Sequence, residues 1–235
     1  MQYTDNSCLF AVMSTAEFRE RKEEFAYKKE MLHSLGSIRY CKAELFKECI
    51  LGTIRLPQKN EQKKAQLSFG FYLTGRKVFF VEDEGKMKAW IEKQTEMFQG
   101  VDTPKQLLLR IMEHMIEEDT LYFSHMESEL DKLEEKISGG TGSNNNFFTS
   151  LIKHRQKLSE FNIYYEQLID IAELFSTCDF YQSEQDTQGW DRFMHRVEQL
   201  QNHVHLLREN VLQIRELYQS MQDAHQNKIM AVITI

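Results

Sequence analysis

Acidic side chains that could hold a hard cation are concentrated on one predicted helix in the middle of the sequence. The run Glu117-Glu118-Asp119 comes first. Five more carboxylates follow it: Glu127, Glu129, Asp131, Glu134 and Glu135. A hard cation such as Mg²⁺ accepts oxygen ligands, often through its bound water. A solvated helix face is the commoner role of such a pattern, so we favour that role and keep cation contact as the alternative.

The histidines do not form a recognisable metal site. His203 and His205 are two residues apart, so on a helix they point in different directions. The remaining candidates show no i, i+4 pairing with one another and are predicted at the surface: His114, His125, His154, His195 and His225. The sequence also lacks GxSxG, HExxH, GxGxxG and phosphate-binding glycine motifs. We therefore predict that the protein is not an enzyme.

Three residues near the end of the sequence, Asn227, Met230 and Ile233, follow one another in steps of three. An Asn in this setting either fixes the register of packed helices or belongs to a ring of amides that faces an ion path. Met230 and Ile233 are either core residues or a hydrophobic constriction that gates a pore by dewetting. The residues alone leave both alternatives open.

These three residues end a long predicted helix, Gln188 to Ile235. Its apolar positions alternate in steps of four and three, the heptad spacing of a helix buried along one stripe. This stripe, called the seam here, consists of Phe193, Val197, Leu200, Val204, Leu207, Val211, Ile214, Tyr218 and Met221. At 1.5 Å per residue the helix would be about 70 Å long. We therefore predict a projecting stalk.

The last residues, Ile229 to Ile235, are apolar on every face of this helix. A membrane span needs roughly 20 such residues, and this run is much shorter. We interpret it as the beginning of a transmembrane helix that the sequence cuts off. A frayed helix end tucked into a core is the alternative.

The first hundred residues predict a small α/β domain. Strands are expected at 8–13 and 45–56, and a hairpin at 67–81. Ser14 and Glu17 form a capping box that begins a helix reaching Leu35. A further helix is expected at 86–98, and Gly70 is expected to allow a bulge or close packing.

Everything after Thr103-Pro104, which supplies a helix start, is predicted to be helical. A long helix over 107–137 and a returning helix over 147–178 are expected on either side of a polar loop. The predicted fold class is therefore α+β, with a small N-terminal α/β domain at 1–101. The second domain, 102–235, is a long antiparallel helical region that ends in the extended stalk helix.

Composition narrows the function classes. The net charge of −7 argues against a nucleic-acid partner, which would require a basic face. The four cysteines have no CxxC spacing and are typical of reduced thiols in the cytosol. No secretory signal is visible at the N-terminus.

Several stretches, in a consistent order, resemble the cytoplasmic part of CorA-type divalent-cation transporters. They are the strand that follows Glu44-Leu45-Phe46, the hairpin Gln66 to Phe80, the helix Met126 to Ile137 and the segment Asn227 to Ile235. The resemblance covers about Arg39 to Ile235. It implies a domain on the cytoplasmic side of the cell (inner) membrane, attached through transmembrane helices beyond the sequence.

The resemblance also implies what this domain does. Five copies would assemble through their stalk helices into a homopentamer around a pore for divalent cations. Mg²⁺ is the expected cation, and Zn²⁺, carried by a zinc-handling branch, or another divalent cation is the alternative. Asn227 would lie just below the membrane, and Met230 and Ile233 would line the narrow part of the pore. A soluble coiled-coil oligomeric adaptor with an α/β head is the competing hypothesis, and an enzyme with a site in that head is the third.

In that family a regulatory cation site pairs an acid of the α/β domain with an Asp on a neighbouring stalk. Aligned without gaps, these positions fall on His33 and on Arg192, which is one residue past Asp191. The resemblance therefore does not carry the residues of this regulatory site over to this sequence, and whether the site is retained stays open. A His at the first position would favour a softer metal than Mg²⁺.

Overall fold

The computed structural model describes residues 9–21, 25–59, 67–94, 99–138, 145–178 and 184–233. Within them, the predicted α+β fold is confirmed, with one sheet in the N-terminal part and long helices after it. The sheet has the strand order β1-β5-β4-β3-β2. Its strands are β1 Phe10–Met13, β2 Lys42–Leu45, β3 Ile50–Arg55, β4 Ser68–Leu73 and β5 Val78–Val81. Strand β1 runs parallel to β5, and the other neighbours are antiparallel.

The predicted hairpin is present as β4 and β5, which pair from Gly70↔Val81 to Leu73↔Val78. Both strands are rich in aromatic and β-branched residues, which suit a pleated, buried surface. Gly70 serves close packing without a bulge, because its pairing with both neighbouring strands is unbroken. A Cβ at Gly70 would lie 2.5 Å from both the Leu35 Cδ2 and the Met31 Cε atoms. The helix side chains can therefore approach the sheet only at a glycine.

Two predictions for the N-terminal elements were wrong. The strand expected at 45–56 is present only as β3, Ile50–Arg55, because a turn in which the Phe46 amide donates to the Cys49 carbonyl at 2.8 Å precedes it and joins it to β2. The helix expected from Ser14 to Leu35 is two helices, α1 Thr15–Glu20 and α2 Lys28–Leu35. Its predicted capping box is confirmed.

The interruption between α1 and α2 follows from the burial of Phe25. Its ring lies 4.4 Å from the Phe18 ring and 5.1 Å from the Tyr72 ring, centroid to centroid. Tyr27 then takes a left-handed backbone conformation with φ of 57° immediately before α2 begins. A straight helix could not make this inward turn, so packing overrides the local helical preference.

The remaining helices are α3 Lys86–Glu92, α4 Pro104–Met115, α5 Asp119–Ser138, α6 Asn145–Thr177 and α7 Glu184–Ile233. The predicted start at Thr103-Pro104 is confirmed, with the Thr103 side chain accepting from the Gln106 amide. The single helix expected over 107–137 was wrong, because the backbone leaves helical geometry at Ile116. Helix α3 ends at Glu92, before the predicted 98. Residues 95–98, the loop 139–144 and most of the loop before α7 lie outside the described residues.

The chain divides into two compact units. Unit 1 comprises Met1–Glu117 and Tyr164–Glu198, and unit 2 comprises Glu118–Ile163 and Gln199–Ile235. Unit 1 contains the sheet and a core in which the Trp190 ring stacks on Phe175 at 4.3 Å. Unit 2 has a separate core around Phe123 and Phe161, whose rings are 5.0 Å apart. The domain boundary predicted between residues 101 and 102 stays a prediction; it lies where strands give way to helices.

Candidate functional site

Helix α7, which carries the predicted pore residues, is one continuous helix of 50 residues. The predicted seam is buried from Phe193 to Ile214 within this single chain. Leu207, for example, is 2% exposed and Val204 is 0% exposed. In unit 2 the partners come from the other helices, since the Tyr218 ring stacks on Phe147 with centroids 5.0 Å apart. The seam is therefore filled by helices of the same chain.

The last part of α7, residues 222–233, is called the distal stretch here and has the opposite character. Asn227 is exposed. Ile229 is 46% exposed and Met230 is 66% exposed. Ile233 is the last helical residue, and its side chain lies outside the described part of the chain. The alternative that this helix end is tucked into a core of the same chain was wrong for residues 229–231, the part of that end whose burial is described.

Asn227 and Met230 are helical neighbours at i and i+3, so they share one side of the exposed distal stretch. An amide and a thioether beside each other do not bind a cation strongly from a single chain. A ring of several copies would collect the amide oxygens and the apolar side chains at two successive levels. The geometry therefore suits a site shared between copies of the chain.

The acidic residues of α5 form the solvated face that the sequence favoured. Glu127, Glu129 and Asp131 are exposed, as are Glu134 and Glu135. Asp119 differs, because it is completely buried at the start of α5. Among the described residues, no group of three or more His, Cys, Asp or Glu side chains is arranged to hold a metal ion.

The sequence predicted His154 at the surface, and this prediction was wrong. Its side chain is 14% exposed and its Nε2 atom lies 3.7 Å from the Glu129 Oε2 atom. Its position on α6, between the buried Leu151 and Leu158, brings it toward the core of unit 2. Burial lowers the pKa of His154, and the nearby Glu129 carboxylate acts in the opposite direction.

His33, the position aligned with the family's regulatory acid, is exposed in the last turn of α2. It lines a cleft of about 420 Å³ in unit 1, together with Arg39 and Lys42. Asp191 and Arg192 are exposed on α7. The sequence reasoning missed Arg39 and Lys42, whose signal is a pair of basic residues near a turn in an otherwise acidic chain.

None of the helices in the described residues is both long and apolar enough to cross a membrane. Helix α7 is long enough, but charged and amide side chains recur along it.

Comparison with known proteins decides the family. A protein-family model described as CorA-like Mg2+ transporter protein matches residues 29–235. The chain belongs to the CorA-like Mg²⁺ transporter family. The match includes all of α7, and it confirms the resemblance read from the sequence. No curated protein matches the sequence of this CorA-like chain.

Solved structures agree with this assignment at the level of the fold. The complete CorA magnesium transporter from Methanocaldococcus jannaschii matches with a TM-score of 0.79 and 14% identity, over 100% of this chain and 76% of that one. The full-length CmaX protein matches with a TM-score of 0.79 and 15% identity, over 96% and 71%. The ZntB cytoplasmic domain from Vibrio parahaemolyticus RIMD 2210633 matches with a TM-score of 0.71 and 11% identity, over 92% and 88%. The CorA-like chain thus shares its fold with these three proteins over at least 92% of its length.

Proposed function

We propose that this chain is the cytosolic gating region of a passive membrane transporter for divalent cations, with Mg²⁺ as the cation carried. The observation that carries the proposal is the family match through the whole of α7, combined with the exposure of its distal stretch. The neighbouring ZntB fold makes Zn²⁺ the alternative cation. No chemical reaction is catalysed in this proposal.

In the assembled transporter the distal stretches of several copies line the pore near the membrane. Asn227 supplies amide oxygens, which can accept hydrogen bonds from the water shell of a hydrated cation. Met230 and Ile233 form an apolar collar beyond it, and a narrow apolar collar gates by losing its water. The helix then continues into the membrane, and this region lies on the cytoplasmic side of the inner membrane.

Copies of the chain assemble as a homopentamer in this proposal. The seam is already filled by the chain's own helices from Phe193 to Ile214, so contacts between copies must use other residues of α7. Leu212 is 51% exposed and lies on the same side of α7 as Met230, so it joins the distal stretch as apolar contact surface. A ring of identical contacts closes through cyclic symmetry.

The adaptor hypothesis loses its main support through the same observation. A soluble coiled coil would need the heptad seam to meet another chain. In this chain the seam residues Val204 and Leu207 are covered internally. The transporter proposal is compatible with an internally covered seam, because it requires contacts between copies of the chain only in the distal stretch.

Cation flux tests the proposal. The complete protein encoded by the gene is reconstituted into vesicles loaded with Mg²⁺ or Zn²⁺, and release is followed with a fluorescent indicator. We expect Mg²⁺ release above that of protein-free vesicles. Met230→Ala should increase it, because a wider collar stays wet more easily. Leu121→Ala, at a 60% exposed position on α5, serves as the control and should leave flux unchanged.

Release that is no faster than from protein-free vesicles would contradict transport altogether. Release of Zn²⁺ but not Mg²⁺ would support the proposal that the protein is a transporter and would overturn Mg²⁺ as its cation. Equal effects of Met230→Ala and Leu121→Ala on the cation flux would show that Met230 is not part of the gate.

A further inference from the structure

The cleft beside α2 differs in charge from the rest of the protein. The chain has a net charge of −7, yet the described residues that line this cleft include Arg39, Lys42 and His33 and no carboxylate. Hydroxyl groups of Ser34 and Ser37 complete its polar wall. A cationic and hydroxyl lining attracts anions and repels divalent cations.

The loop that forms one wall of the cleft is held in place by hydrogen bonds from three directions. The Cys41 amide donates to the Gln167 Oε1 atom of α6 at 2.8 Å. The Thr53 hydroxyl of β3 donates to the Tyr40 carbonyl at 3.1 Å. The Arg55 guanidinium donates to the Ile38 carbonyl at 3.4 Å. These bonds fix the backbone between Arg39 and Lys42 before any ligand arrives, and a preorganised site loses less entropy on binding.

The basic groups have partners that leave them able to bind an anion. Arg39 donates through Nε to the Ser37 hydroxyl at 3.1 Å, which orients a guanidinium with five N–H donors. Lys42 Nζ lies 2.5 Å from the Glu44 Oε1 atom, in an ion pair whose side chains are 28% and 45% exposed. Exposed ion pairs contribute little free energy. A phosphate dianion can therefore compete for Lys42.

The size of the cleft and one aromatic side chain identify the rest of the ligand. The volume is about 420 Å³, within the range of roughly 300–1,000 Å³ of small-molecule sites and larger than a lone phosphate needs. Tyr40 also lines the cleft, and its side chain is 53% exposed. An exposed aromatic ring beside a phosphate-binding group provides a stacking surface for a planar ring.

From this arrangement we infer that the cleft binds a nucleoside monophosphate, with Arg39 and Lys42 on the phosphate and Tyr40 against the base. The site lies in unit 1 and does not depend on the transport proposal. Occupancy by a soluble nucleotide would give this region a ligand other than a cation.

Calorimetric titration of the purified chain with AMP tests the inference. We expect binding with a Kd of about 1 mM or tighter, and competition by inorganic phosphate. The double variant Arg39→Gln/Lys42→Gln should weaken AMP binding by about tenfold or more, because it removes charge-assisted hydrogen bonds. The control Lys29→Gln removes a positive charge from an exposed position of α2 that does not line the cleft, and it should leave binding within about twofold.

The variant Tyr40→Ala tests the contribution of the aromatic ring to binding independently of the phosphate contacts. It should weaken AMP and leave inorganic phosphate unchanged; equal affinity of AMP for this variant would overturn the assignment of the base. No AMP binding by the folded wild-type chain would overturn the site, as would equal losses in the double variant and in Lys29→Gln. Circular dichroism of each variant establishes that it is folded.

Discussion

Helix α7 contains two stretches with apolar residues at helical spacing but with opposite exposure. From Phe193 to Ile214 the seam residues are at most 5% exposed. In the distal stretch Ile229 is 46% exposed and Met230 is 66% exposed. Apolar periodicity shows that a helix face is to be buried, but it does not show whether the cover comes from the same chain or from another. In α7 the chain itself covers the seam from Phe193 to Ile214 and leaves Ile229 and Met230 exposed.

The largest expected effect comes from a charge placed in the seam. Leu207→Asp should reduce the free energy of unfolding by about 4 kcal/mol or more, because Leu207 is 2% exposed and a buried, unpaired carboxylate is costly. Urea denaturation followed by circular dichroism measures the loss.

The adjacent residue provides the matched control. Leu206 is 65% exposed, and Leu206→Asp should change the free energy of unfolding by no more than about 0.5 kcal/mol. Similar destabilisation by both substitutions would show that the two sides of α7 do not differ as described.

A smaller effect is expected where the buried part of α7 ends. The Tyr218 ring stacks on Phe147 at 5.0 Å and meets Phe148 edge-on at 4.7 Å. Tyr218→Ala should cost about 1–2 kcal/mol through the loss of both ring contacts, measured by urea denaturation. Tyr218→Phe keeps the ring and should retain nearly all the stability. An equally large loss in the Phe variant would assign the effect to the hydroxyl instead.

A pH-dependent effect is expected in unit 2, whose helices cover the seam. The pKa of His154 lies below its usual 6.5 because burial disfavours the charged ring. The unfolded chain therefore takes up this proton at a higher pH than the folded chain does. The stability contribution is complete above about pH 6.5 and decreases as the pH falls through the folded pKa.

Substitution of His154 should remove this part of the pH dependence. Melting temperatures of His154→Gln between about pH 7 and pH 5 should fall less steeply than those of the wild type. His195→Gln is the control, because the His195 side chain is 71% exposed. An unchanged slope in His154→Gln would contradict the role of burial.

The smallest effect is expected in the distal stretch. Met230→Ala should leave the melting temperature of the isolated chain unchanged within about 1 °C, since exposed substitutions seldom alter stability. Differential scanning calorimetry measures it. A drop of several degrees would mean that this chain covers Met230 itself, and the contrast within α7 would disappear.

The fold could be predicted from the sequence where local chemistry and packing agree. The β4–β5 hairpin, the capping box at Ser14 and the heptad seam of α7 are examples. Prediction failed where a tertiary contact overrode a continuous local pattern. Phe25 turns inward between α1 and α2, and the chain reverses between Phe46 and Cys49 without a glycine or a proline.

For the candidate site, too, the sequence could not reveal the features that depend on tertiary contacts. The exposure of the distal stretch could not be predicted from the spacing of Asn227 and Met230, because the same spacing is found on buried helix faces. The cleft was missed because two of its lining residues, Lys42 and Thr53, become neighbours only through the pairing of β2 with β3. The predicted strand at 45–56 included only the last residue of β2.

Cross-linking between copies tests the central claim, that α7 uses its seam within one chain and its distal stretch between chains. Met230→Cys and Leu207→Cys are introduced separately into the complete protein in membranes, and a short thiol-reactive cross-linker is added. The account predicts covalent dimers for Met230→Cys and none above the wild-type background for Leu207→Cys, which is buried in its own chain. Cross-linking at Leu207, or none at Met230, would contradict it.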